Sequence, residues 1–165
     1  MAYRRKLPDT ASIANSLGDR RLFANSAERN CEPIINLTKR IAPKSGRALE
    51  IASGTGQHIV KLALSLPYLS WSPSEVEEER LESISAWIES ENVQNIKPPL
   101  YLDATVTGWA ESLTQSDFIL LVNLLHLISR NETEILIGEI SKALKTNGIA
   151  LIYGPFMREG QLTSK

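Results

Sequence analysis

Short apolar runs alternate with amphipathic stretches along most of the chain. Over 28–41, apolar positions Ile34, Ile35, Leu37 and Ile41, with Thr38, recur near the helical period and predict a helix. Ser26 is its candidate cap, and Pro33 fits best if the helix starts near Cys31 and Glu32. Pro43 to Gly46 mark a turn. Residues 47–52 read as a first strand. Residues 57–66 read as a helix with Ile59, Val60, Leu62, Ala63 and Leu66 inward, closed by Pro67. A second strand covers 69–73. An amphipathic helix covers 76–91, with Val76, Leu81, Ile84 and Ile88 inward. Glu77, Glu78 and Glu79 form its solvated first turn, where acids suit the helix dipole. A third strand, 98–103, ends on Asp103. Residues 118–123 are apolar up to Asn123, as in a strand buried on both faces. A helix over 132–144 closes at Lys145 to Gly148, and a fifth strand over 149–153 breaks at Gly154 and Pro155. Residues 1–26 are polar and weakly patterned. They are expected to be an N-terminal arm with some mobility, ahead of one domain over 27–165.

Strands that alternate strictly with helices imply an α/β fold: a Rossmann-like, doubly wound, mostly parallel sheet with helices on both faces. Ligands of such sheets sit beyond the carboxyl ends of the strands, where the strand order reverses. The strand ends therefore carry the candidate chemistry. Gly54 and Gly56 follow the first strand and allow close backbone approach to a ligand, or simply a tight turn. Ile59 stands where a dinucleotide fingerprint needs its third glycine, and no Gly-Lys-Ser/Thr follows, so the loop suits a ligand without a diphosphate. Glu50 ends an otherwise apolar strand, where an acid needs partners; it can organise the loop or meet an amine. Glu75 follows the glycines by about twenty residues, the spacing of a ribose-binding acid, and it also suits a helix N-terminus. Asp103 reads as an acceptor for an adenine amine or as a turn residue. Asn123 can orient a reactive group. His126 is either a proton acceptor or donor, or a packed core residue. His58, at a helix start, reads as structural. Cys31 reads as a small apolar residue, and Tyr153 to Phe156 as a wall of the pocket.

Composition narrows the classes. The chain has 165 residues, 42% hydrophobic and 22% charged, with a net charge of −1, which fits a folded domain and lacks the basic excess of nucleic-acid binders. The locally basic Arg4, Arg5, Lys6, Arg20 and Arg21 read as a solvated tail or, alternatively, as an anion contact. One cysteine and two histidines leave no cysteine-based zinc site and no multi-histidine metal site, so no metal is expected. No apolar run has the length of a membrane span and the N-terminus lacks a signal-peptide core, so a cytoplasmic location without membrane contact is expected.

The motifs together resemble a class I S-adenosylmethionine-dependent methyltransferase. They are more specifically similar to methyltransferase-like protein 26 and its bacterial relatives, once catalogued as a domain of unknown function. The likeness rests on Ala27 to Asn30 with Glu32, Pro33 and Ile34, then Leu49 to His58, Trp71 to Glu75, Pro98 to Leu100 with Leu102 and Asp103, Asn123 with His126, and Tyr153 to Phe156. It covers about 22–160. The resemblance implies S-adenosyl-L-methionine as cofactor. Glu50 with the loop residues Ala52, Ser53, Gly54 and Gly56 would hold its methionine part, Glu75 the ribose and Asp103 the adenine. Arg29 and Asn30 would come over the pocket from the N-terminal helix, with Arg29 toward the cofactor carboxylate by its charge. Asn123 would border the same site, and His126 would be the base for a nucleophile that carries a proton. Two positions depart from the common pattern: Ala52 replaces its first glycine, and Glu75 replaces the usual Asp. Members of that family also continue past the Tyr-Gly-Pro-Phe stretch into a helix and an antiparallel strand pair. A chain ending at Lys165 is therefore expected to lack those strands and to expose its fifth strand as an edge.

The leading functional expectation is a methyltransferase acting on an unidentified small molecule or protein rather than on nucleic acid. The alternative is an inactive module that binds the cofactor or a partner. A nicotinamide oxidoreductase is disfavoured by the absent third glycine.

Overall fold

The structure, a computed structural model, describes residues 13–157 and 159–161. It opens with a small antiparallel hairpin, β1 (Asn15–Ser16) with β2 (Leu22–Phe23), followed by helix α1 (Asn25–Ile41). The remaining strands are β3 (Gly46–Ile51), β4 (Leu69–Glu75), β5 (Leu100–Tyr101), β6 (Ser116–Val122) and β7 (Leu144–Tyr153). They form one parallel sheet in the order β5-β4-β3-β6-β7. The helices between them are α2 (Gln57–Ser65), α3 (Glu78–Glu91) and α4 (Arg130–Ala143). The order reverses beside β3: the chain runs outward through β4 and β5, then crosses back to β6 and β7.

Strand alternation sorts the core into two layers. Ala48, Phe118 and Leu120 face α1, α2 and α3 through Ile34, Ile59, Leu62 and Ile84. Leu49, Ile51, Ile119 and Leu121 face α4 and a short 3-10 helix through Leu136, Ile140 and Trp109. Residues on successive strand positions point to opposite faces, so the continuous apolar run of β6 supplies both layers. Trp71 meets Phe118 edge to face at 6.2 Å, a favourable geometry for two ring quadrupoles.

Several boundaries depart from the sequence reading. Helix α1 begins at Asn25 with Ala24 as its cap residue, Ser26 lies inside it, and Pro33 is interior. Pro33 has no N–H, so the helix gives up one hydrogen bond there; its exposed position keeps that loss in reach of water. Val76 precedes α3 and is 37% exposed rather than inward. Strand β5 is confined to two residues because Pro98 and Pro99 offer no N–H to a ladder. The turn expected at 145–148 lies inside β7 as an irregular bulge: Ser116 pairs with Leu144, but Phe118 pairs with Ile149. Asp117 fastens the bulge, accepting from Lys145 Nζ at 2.8 Å and from the Arg47 N–H at 2.8 Å.

The N-terminal hairpin is docked on α3, which corrects the reading of Arg20 and Arg21 as a solvated tail. Arg20 pairs with Glu89 at 2.7 Å, and the Arg21 guanidinium lies 5.0 Å from the Trp87 ring centre. Trp87 Nε1–H donates to the Leu22 carbonyl at 2.9 Å. Arg4, Arg5 and Lys6 lie outside the described residues. Among the described residues no helix is long and apolar enough to cross a membrane, and no group of three or more His, Cys, Asp or Glu side chains is placed to hold a metal ion.

Helix α4 starts in a reciprocal cap. The Glu132 N–H donates to Ser129 Oγ at 3.3 Å, and the Ser129 N–H donates to Glu132 Oε2 at 2.7 Å. Ser129→Ala is expected to lower unfolding stability by about 1 kcal/mol, the usual worth of such a cap, read from the urea midpoint.

Candidate functional site

A cleft of about 840 Å³ opens above the carboxyl ends of β3, β4, β6 and β7, beside the reversal of strand order. Its first wall is the turn from β3 into α2. Ala52, Gly54 and Gly56 all have positive φ there, at 53°, 60° and 95°. For Ala52 this conformation costs about 1–2 kcal/mol, so the surroundings must hold it. They do so from β4. The Ser53 N–H donates to the Ser74 carbonyl at 2.8 Å, and Ser74 Oγ donates to the Glu50 carbonyl at 2.9 Å. The Gly54 N–H donates to Glu75 Oε2 at 2.9 Å. Glu75 also accepts its neighbour's N–H, from Val76 to Oε1 at 2.8 Å. The acid expected at a ribose is therefore also the clamp of the glycine turn. Each carboxylate oxygen has more than one acceptor site, so capacity remains for a ligand hydroxyl.

Glu50 lies beneath this turn and is 1% exposed. Its Oε2 has no hydrogen-bond partner. Burial pushes its pKa up to about 8, Ser53 hydrogen bonding lowers it, and the nearby Glu75 charge raises it further. Glu50 therefore enters the folded state as a neutral acid at neutral pH. The unfolded chain binds fewer protons than the folded one between the ordinary value of 4.5 and about 8, so stability falls as pH rises through that window. Glu50→Gln is expected to remove this decline, seen as a flatter plot of urea midpoint against pH from 5 to about 8.

Helix α1 forms the second wall. Arg29 and Asn30 both line the cleft, with Arg29 exposed. Asn30 Oδ1 lies 2.8 Å from His58 Nε2, which joins α1 to α2. Burial, with help from Lys61, holds the His58 imidazole down at about 4, so it is neutral at pH 7. This fits a structural His58.

The third wall comes from the ends of β6 and β7. Asn123 has φ 56°, and its N–H donates to the Tyr153 carbonyl at 2.8 Å. His126 sits in a 3-10 turn, Leu125–Leu127, and lines the cleft; partial burial lowers its pKa. Tyr153, Gly154 and Pro155 complete this side.

The structure thus gathers Arg29, Asn30, Ala52, Ser53, Gly54, Glu75, Asn123 and His126 around one cleft. Three expected residues stand elsewhere. Glu50 is under the turn rather than in the wall. Gly56 packs inward, where an added Cβ would lie 2.9 Å from Ile84 Cα. Asp103 does not line the cleft; its Oδ1 accepts from Thr105 N–H at 2.9 Å and from Thr105 Oγ1 at 2.6 Å. The turn reading of Asp103 describes its place, because the short β5 ends two residues before it.

The sequence reading missed Arg80 and Glu77. Both line the cleft, and Arg80 Nε donates to Glu77 Oε2 at 2.8 Å. Glu77 is the cap residue of α3, and Arg80 stands one helical turn later. That three-residue spacing at a strand-end helix was the available signal. An Arg80 guanidinium nitrogen also lies 3.6 Å from where a Gly54 Cβ would stand.

Sheet order, helices on both faces and a cleft at the reversal define a Rossmann-like α/β architecture. Superposition agrees. An O-methyltransferase family protein from Burkholderia thailandensis matches with TM-score 0.68 and 15% identity, over 82% of this chain and 41% of that one. The glycopeptide N-methyltransferase MtfA matches with TM-score 0.64 and 15% identity, over 74% and 52%. Coclaurine N-methyltransferase, solved with N-methylheliamine and SAH, matches with TM-score 0.64 and 18% identity, over 89% and 44%. The chain spans about half the length of these structures. Over residues 21–165 the sequence matches the family described as a protein of unknown function, DUF938, and the chain belongs to that family.

Proposed function

We propose that this chain binds S-adenosyl-L-methionine and takes part in transfer of its methyl group to an acceptor. The narrower likeness to methyltransferase-like protein 26 belongs to the same proposal. The observation that carries it is the carboxylate of Glu75, held at the end of β4 and bonded to the Gly54 N–H of the turn that leaves the neighbouring β3. A buried acid that leaves one face toward a glycine turn suits a ribose rather than a diphosphate, whose charge it would repel.

The residues present fit this cofactor. The turn at Gly54 leaves room for a ligand to approach backbone. Beneath the turn, the buried Glu50 carboxyl leaves its Oε2 without a hydrogen-bond partner. When bound, the cofactor supplies a methyl group made electrophilic by its sulfonium. The chain's own residues would do the rest. Glu75 and the 52–56 turn fix the donor's position, and Arg29 offers a cation from α1 for a carboxylate. Asn123 and His126 stand on the opposite wall, where a second reactant would enter. His126, neutral at pH 7 because partial burial lowers its pKa, can accept a proton there. Orientation of two reactants in one cleft supplies most of what methyl transfer needs.

Calorimetric titration with S-adenosylhomocysteine tests the reading. Saturable one-site binding that NAD does not compete away is expected. No heat of binding from a chain folded by circular dichroism would overturn it.

A further inference from the structure

The two halves of the cleft differ in charge. Every charged side chain among the described lining residues, namely Arg29, Glu75, Glu77 and Arg80, comes from α1, β4 or the start of α3. The ends of β6 and β7 contribute Val122, Leu124, Leu127, Ile128, Tyr153 and Pro155, around Asn123 and His126. The half nearest the glycine turn is thus polar and charged, and the half left for a second reactant is apolar with one imidazole. Farther along the chain from Pro155, Phe156 and Met157 remain 47% and 59% exposed.

Charge decides what this half can accept. Among the described residues lining this half, a lysine ammonium would find no carboxylate and a phosphate no cation. Burying an unpaired charge is far more costly than burying an apolar frame with one polar group. The polar group has a partner in His126, which lines this half from an exposed 3-10 turn and whose neutral imidazole has one nitrogen free to take a proton.

We infer that the acceptor is a small, uncharged, largely apolar molecule whose nucleophile is an ionisable hydroxyl or thiol, seated over the ends of β6 and β7 with His126 receiving its proton. The inference rests on the methyl-transfer reading above. The acceptor oxygen or sulfur gives its proton to the imidazole and forms the new bond to the methyl carbon. The carbon–sulfur electron pair leaves with the donor as a neutral thioether, and the imidazolium returns its proton to water. The charges balance without an added oxidant or reductant.

Two measurements test it, one of them without cofactor. The cofactor-free chain is titrated with 1-naphthol by fluorescence, with naphthalene-1-thiol, 1-naphthyl phosphate and acetyl-lysine amide as competitors. Saturable binding displaced by the thiol, and at least roughly tenfold more weakly by the phosphate and the lysine amide, is expected from the cost of an unpaired charge. Leu127→Asp is expected to weaken 1-naphthol binding by roughly tenfold or more, with Leu127→Asn intermediate, while S-adenosylhomocysteine affinity is retained. In the second measurement, S-adenosylhomocysteine formation from 1-naphthol should be lost in His126→Asn with 1-naphthol binding retained. Equal or tighter binding of the charged competitors, in a chain that binds S-adenosylhomocysteine, overturns the acceptor class and leaves the proposed function standing. Failure to bind S-adenosylhomocysteine, with 1-naphthol bound, removes the proposed function and this inference with it.

Discussion

Glu75→Ala is expected to lower the affinity for S-adenosylhomocysteine by roughly 100-fold or more, measured by calorimetry on a folded variant. Two backbone N–H groups lose a charged acceptor at once. Gly54 N–H no longer has Oε2, and Val76 N–H no longer has Oε1. Hydrogen bonds to a charged group are worth about 1.5–3 kcal/mol each, so the turn loses its tether to β4 as well as its acceptor for the ligand. Glu75→Gln separates the two effects. It keeps one acceptor oxygen and the side chain's volume, so it should recover part of the affinity. It also removes a charge that raises the Glu50 pKa, which should narrow the window of pH-dependent stability loss from its upper end and make that loss smaller. Unchanged affinity in both variants would show that the clamp contributes nothing to binding.

Gly56→Ala is expected to be the most destabilising of the single-methyl changes in this turn, by about 3 kcal/mol or more. Two costs add. The residue sits at φ 95°, where an alanine is strained, and its Cβ would stand 2.9 Å from Ile84 Cα. That neighbour is backbone, so relief requires moving α3 away from α2. Gly54→Ala offers the contrast. Its φ is 60°, and the nearest atom to a new Cβ is the end of the Arg80 side chain at 3.6 Å. Ala52 already adopts φ 53° in the same turn. Gly54→Ala should therefore cost about 1–2 kcal/mol in stability and act mainly on ligand affinity. Urea unfolding followed by calorimetry of both variants checks this; equal loss of stability would show that the packing of α3 does not restrict the turn.

The parts of the fold that were legible in the sequence are those fixed by local rules. The mostly apolar stretch at 47–52 and the apolar run up to Asn123 sit close to β3 and β6, and two glycines two residues apart locate the turn at the strand reversal. Tertiary contacts decided the parts that were not. Pro33 argues against a helix by its own geometry, yet Cys31, Ile34 and Thr38 are buried on either side of it, and their packing outweighs one missing bond. The paired prolines at 98 and 99 shorten β5, and Asp103, two residues past its end, is taken up by Thr105 instead of the cleft. Arg20 and Arg21 look like a tail because their one nearby acid, Asp19, pairs with Arg21 at 2.9 Å without tying the segment to the domain. Their neighbours on α3, Glu89 and Trp87, are more than sixty residues away. Sequence separation also hid Arg80, whose relation to the glycine turn exists only once α3 packs on it.

Ser83 gives the molecule a connection that reaches beyond packing. Its hydroxyl accepts the Leu22 N–H at 2.8 Å and donates to the Thr55 carbonyl at 2.7 Å. One oxygen thus joins the N-terminal hairpin to the glycine turn. Opening of the hairpin and loosening of the turn share a free energy, and such coupling is reciprocal. A ligand that stiffens the turn should slow hydrogen exchange at the Leu22 amide, which bonds the same Ser83 oxygen as the turn. Anything that grips the hairpin should, by the same thermodynamic cycle, tighten the cleft.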